Sequence, residues 1–142
     1  MVRALNDSAH QGNHIMSIAG LFFRTAVVLG LIGIVLGMGM GMNQDFRLAH
    51  LHAHLNLLGW VSFFLFGAFY HLVPSAAEGV LPKAHYTLSL IGLLVFMTGL
   101  YTIAIDTDGG LPILAVVGSL LLLLGFLMFA WIVFRSRIAA QV

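Results

Sequence analysis

Three of the seven histidines in this chain fall at alternate positions, in the run His50-Leu-His52-Ala-His54. Neutral imidazole is a ligand for heme iron, copper and zinc. On a helix, His50 and His54 lie one turn apart on the same face, while His52 points about 200° away from both. A pair at i and i+4 suits a small metal ion whose remaining ligands come from elsewhere. A single deep imidazole with aromatic and glycine neighbours suits axial ligation of heme, because the porphyrin is apolar. Spacing alone leaves both open, together with a plainer reading in which His50 and His52 cap a helix at headgroup level. His54 and Asn56 are different, since two polar side chains roughly two turns inside an apolar helix are costly without partners. Ionisable groups within a span are functional candidates by default.

A second pair, His71 and His85, flanks Pro74, Pro82 and Lys83. From His54 to His71 is 17 residues, roughly 25 Å along a helix, so one prosthetic group cannot bridge the two places, whereas two groups could form an electron path. The alternative places His71 and His85 at an interface beside Tyr70 and Tyr86, hydrogen-bonded to water. Arg47, just outside His50, can meet a heme propionate or Asp45. Arg24 lies two turns into an apolar stretch, where its stem can snorkel to headgroups.

The elements that position these groups follow from composition. Of 142 residues, 61% are hydrophobic and only 8% charged, and mean hydropathy is +1.05. A soluble domain carries about 25% charge; so few charges leave most of the surface to face a lipid bilayer. A net charge of +1 without a basic run excludes nucleic acid as a partner. Absence of cysteine excludes disulfides, thiolate metal sites and iron–sulfur clusters. Four apolar stretches, about 17–42, 48–73, 85–105 and 111–134, each reach the roughly 20 residues that cross a bilayer core. Backbone in lipid must satisfy its own hydrogen bonds, so these are helices. The expected fold is an all-α integral membrane protein, one domain over 1–142, with four transmembrane helices in an up-down-up-down bundle joined by short links.

Charge suggests an orientation. Arg3, Lys83, Arg135 and Arg137 fall at one end with Arg24 near it, against Arg47 alone beside Asp45, Asp106 and Asp108 at the other. The positive-inside rule then places both termini in the cytoplasm. In a bacterial inner membrane the histidine cluster lies near the periplasmic side. In the first stretch Ala26, Gly30, Gly33, Gly37 and Gly41 share one face. They form either a groove for close helix packing or a smooth wall for a flat macrocycle, with Gly37 and Gly41 at the depth of the histidines. Met38, Met40 and Met42 point mainly off that face and read as filler. Asp106-Thr-Asp108-Gly-Gly reads as a plain turn.

The segment Phe46-Arg47 … His54-Leu-Asn56-Leu-Leu-Gly-Trp60 … Gly67-Ala-Phe-Tyr70-His-Leu-Val-Pro74 resembles the second helix of heme-copper oxidase subunit I, most of all its nitric oxide reductase branch. The resemblance implies that His54 is an axial ligand of heme b, with Asn56 and Trp60 its companions on the helix. It covers about 30 of the 142 residues. That family's large subunit has about twelve helices; this chain has four, and no histidine follows His85. A complete oxidase or reductase site is therefore not expected in one chain, and a second axial ligand would come from His50, a methionine, or His54 of another copy in a homo-oligomer.

Three functions remain. The leading expectation is a heme b-binding membrane protein acting in electron transfer or heme/gas binding, with a respiratory redox partner, using His54, His50, Arg47, Gly37 and Gly41. The second is a copper or zinc binding or transport protein using His50, His52 and His54 as a port. The third is a structural or assembly subunit of a respiratory complex with no cofactor.

Overall fold

Ser17 starts the first helix: its hydroxyl oxygen accepts the Gly20 backbone N–H at 3.1 Å, the capping role that small hydroxyl residues favour. From there α1 (Ile18–Asn43) runs unbroken to Gln44, which turns left-handed at φ 51° and returns its N–H to the Met40 carbonyl. Then come α2 (Ala49–Leu72), α3 (Leu81–Ile105) and α4 (Pro112–Arg135). A short 3-10 turn, Pro74–Ala77, joins α2 to α3. This computed structural model describes residues 17–106 and 108–136. Among them there is no strand, and all four helices are long and apolar enough to cross a membrane.

Three of the four spans lie within a residue of their expected limits. The third is corrected: α3 begins at Leu81 rather than at about His85. Pro82 and Lys83 read as linker, but proline is tolerated in a first helical turn, where its missing N–H would have no partner anyway. The correction places His85 one turn inside the helix. Lys83 and Arg135 do fall at one end, where Pro82 and Arg135 line a common cavity. Asp45, Arg47 and Ile105 line another at the opposite end. Arg3, Arg137 and both chain termini lie outside the described residues. Asp106 begins a turn, its carboxylate oxygen accepting the Asp108 backbone N–H at 2.9 Å.

Two antiparallel hairpins make the bundle, each held by glycine. Along α1, Gly30, Gly33 and Gly37 receive Trp60, Asn56 and His52 of α2 in that order: a Cβ on Gly33 would stand 2.5 Å from Asn56 Oδ1. The α3–α4 hairpin is tighter, because here backbone meets backbone. Gly99 lies on the main chain of Leu114 and Ala115, and Gly118 on that of Phe96. With no apolar solvent penalty to drive helices together in lipid, such close approach gains van der Waals contact that a larger residue would block.

The hairpins join through an aromatic cluster near the Lys83 end. Phe22 is fully buried. Its ring lies 5.4 Å from Phe63, 5.6 Å from Phe66 and Tyr70, 5.2 Å from His85 and 5.0 Å from Tyr86, centroid to centroid. These are the separations at which aromatic pairs attract beyond simple burial. Thr25 and Tyr86 add a hydroxyl–hydroxyl bond of 2.8 Å between α1 and α3. Toward the other end the seam is looser, with an apolar groove of about 320 Å³ among Leu29, Ile32, Leu51, Leu55, Leu93 and Met97.

Candidate functional site

The histidine run opens α2 and is divided by helical geometry. His50 is exposed. His52 is half-buried against α1, where a Cβ on Gly37 would stand 2.8 Å from its Cε1. His54 faces α3 instead, its ring edge-on to Phe96 at 5.3 Å. The three imidazoles therefore do not converge. Among the described residues no three His, Cys, Asp or Glu side chains gather to hold a metal ion.

His54 is half-buried and chemically oriented. Its Nδ1 lies 2.7 Å from the His50 carbonyl oxygen. A carbonyl only accepts, so Nδ1 carries the proton, and in the neutral ring Nε2 keeps its lone pair for an electrophile. Metal-binding histidines use this arrangement, in which a bond to one ring nitrogen fixes tautomer and orientation for the other.

Asn56 finds the partner its depth requires: its amide donates to the His52 carbonyl at 2.8 Å. The Asn56 amide nitrogen also stands 3.4 Å from His52 Nδ1. Immediately after His54 the helix widens. Over Leu55–Val61 its backbone bonds close i→i+5 turns, and Ser62 sends both its N–H and its hydroxyl back to the Leu57 carbonyl. Such wide turns within α-helices often accompany functional sites. The register effect is concrete. An α-helix drifts about 40° between i and i+4, and a wider turn removes that drift. His52, Asn56 and Trp60 thus stay in line over Gly37, Gly33 and Gly30.

Glycines at the histidine end are unequal. The His52 imidazole covers Gly37, whereas nothing stands within 4 Å of a Cβ at Gly39 or Gly41. Met40 is buried, while Met38 and Met42 are exposed. Just beyond α1, Arg47 makes a two-pronged pair with Asp45, Nη2 to Oδ2 at 2.6 Å and Nε to Oδ1 at 3.0 Å. The hydrogen bonds from Arg47 hold the Asp45 carboxyl down at about 2, and the same bonds push Arg47 upward.

His71 and His85 are not joined. His71 is exposed on α2 beside the Phe23 ring, 6.5 Å away. His85 is fully buried, so it does not lie at the bundle surface. Its Nδ1 meets the Tyr70 hydroxyl at 3.0 Å, and Phe129 stacks on its ring at 5.4 Å and 21°. Sequence reasoning set Tyr70 aside as a neighbour and passed over Ser89. The available signal was position: Tyr70 ends one helix and His85 opens the next across a short link, so a tight hairpin must oppose them. Arg24 is exposed on α1. No protein family, no curated protein and no solved structure matches this chain.

Proposed function

We propose that this chain is a membrane protein that binds heme b through His54 and acts in electron transfer or heme/gas binding. The observation that carries the reading is the bond from His54 Nδ1–H to the His50 carbonyl. It leaves Nε2 directed and unprotonated on a half-buried ring beside Phe96, which is what an axial ligand needs. The resemblance of the surrounding α2 segment to the low-spin heme helix of the oxidase large subunit supports the same assignment.

Among the described residues no other imidazole converges on His54, and a second copy of the chain would bring its own His54 to complete the site. Asp45 engages Nε and Nη2 of Arg47, and a propionate would be met by the remaining guanidinium N–H groups. Gly41, with open space before it, accommodates a flat group more readily than Gly37, which His52 covers. Bound heme would supply one-electron exchange where a second copy completes the site, and would bind a diatomic gas where His54 is its only protein ligand. The proposed setting is a bacterial inner membrane with both termini in the cytoplasm, the His54 end toward the periplasm, and a respiratory redox partner.

The test is the absorption spectrum of the purified chain, oxidised and dithionite-reduced, beside metal analysis. The reading expects a Soret band and sharp reduced α and β bands that vanish in His54→Ala. A colourless protein holding stoichiometric copper or zinc overturns it in favour of a metal carrier. A colourless, metal-free protein, after expression with heme and metals supplied, leaves a structural subunit.

A further inference from the structure

Two polar atoms in the bundle interior have no partner among the described residues, His85 Nε2 and Ser89 Oγ. Both residues are sealed from solvent, at 0% and 2% exposure. They stand at i and i+4 on α3, one turn apart on one face. The other imidazole nitrogen is already engaged with Tyr70. Since the Tyr70 hydroxyl has no other acceptor among the described residues, its O–H donates to Nδ1, and the neutral ring carries its proton on Nε2. A buried N–H and a buried hydroxyl, one turn apart on α3, therefore lack partners among the described residues, which native interiors rarely tolerate.

The surroundings limit what can fill the gap. Phe66, Phe22 and Phe129 crowd the imidazole at 4.7, 5.2 and 5.4 Å between ring centroids. Beside Ser89 lies Gly125, where a Cβ would stand 2.7 Å from Oγ. An aromatic ligand has no room, and one imidazole with one hydroxyl is too small a ligand set for a metal ion. The nearest cavity lies at the end of the bundle. A cavity of about 430 Å³ is lined there by Ser75, Glu78, Pro82, Ile132 and Arg135. Pro82 lies one turn before His85 on α3, and Ile132 one turn after Phe129 on α4.

We propose that one water molecule is bound between His85 Nε2 and Ser89 Oγ, accepting the imidazole N–H and donating to the serine oxygen. Buried waters are held by two to four polar groups that would otherwise be unsatisfied, and these two atoms are such groups. The water completes a line of hydrogen bonds, Tyr70 to His85 to water to Ser89, that runs from α2 into α3 and ends against Gly125 of α4. It is independent of any cofactor at His54.

The test uses the full chain, labelled with 15N-histidine, in lipid nanodiscs. The expected result is a magnetisation-transfer cross-peak between bound water and the His85 Nε2 proton, lost in Ser89→Ala while the Tyr70-bonded Nδ1 signal stays. A visible Nε2 proton with no water cross-peak in the wild type overturns the proposal, as does a cross-peak unchanged by Ser89→Ala. Should Ser89→Ala not fold, a high-resolution density map of the wild type decides. Density between the two atoms supports the water, and a direct Nε2–Oγ contact without it refutes the proposal.

Discussion

The proton on His54 is held by backbone, not by a side chain: Nδ1 stands 2.7 Å from the carbonyl oxygen of His50. The residue at 50 thus fixes the tautomer at 54 whatever its own side chain is. His54→Ala is expected to abolish the reduced α band. His50→Ala keeps that carbonyl, so heme affinity should change by less than the roughly 10–100-fold that loss of an outer hydrogen-bond partner costs. Heme titration of both variants, read at the Soret band, checks this. Equal losses in the two would mean that the His50 imidazole is itself a ligand.

The glycines separate into those that backbone touches and those that nothing touches. Gly99→Ala and Gly118→Ala set a methyl into the opposite main chain of the α3–α4 hairpin, and overpacking of this kind costs about 1–3 kcal/mol or more. Gly41→Ala meets open space and should be neutral or slightly stabilising, since alanine favours helix over glycine by about 0.8–1 kcal/mol. Thermal unfolding in a mild detergent distinguishes them. A Gly118→Ala protein as stable as wild type would contradict the backbone contact.

Asp45 gives a pH signature outside the spans. Its carboxyl titrates at about 2 in the folded chain against an ordinary 3.8, so the fold favours the charged form. The sign follows: the contribution to stability is fully present above 3.8 and is lost as pH falls through about 2. The pair is exposed at both side chains, so the effect is small and weakens with salt. A 13C carboxyl titration should place Asp45 near 2 in wild type and return it to the ordinary range in Arg47→Gln. An unshifted wild-type midpoint would mean that the two side chains are apart in solution.

Tyr70→Phe removes the one hydrogen bond that His85 Nδ1 makes among the described residues while keeping the ring that stacks on Phe22 at 5.6 Å. A buried acceptor left unsatisfied costs about 1–3 kcal/mol, so the expected outcome is a folded protein of lower thermal midpoint. His71→Phe, at an exposed position, should leave the midpoint within about 0.5 kcal/mol of wild type. If the two variants behave alike, the Tyr70–His85 bond is not formed.

Helix number and most boundaries were legible because twenty apolar residues admit few other structures in this composition. The error at α3 came from Pro82, which punctuates a sequence but fits a first helical turn. The opposite faces of His52 and His54 were also legible, since their spacing sets the angle between them. Two features were not. The wide turn at Leu55–Val61 has no residue signature, because it depends on matching Asn56 and Trp60 to glycines on another helix. The burial of His85 depends on Phe22, Phe66 and Phe129, brought from three helices that sequence does not rank by proximity. Gly37 carried two readings, and the His52 imidazole that stands over it in the fold is again a tertiary matter.

The aromatic cluster has a mechanical consequence. Rings from every helix clamp the two hairpins together at the Tyr70 end, whereas at the His54 end they are divided by the groove of about 320 Å³ among Leu29, Leu51 and Leu93. The two hairpins are therefore fastened tightly around Phe22 and only loosely toward His54, so packing resists their separation far more at one end of the seam than at the other.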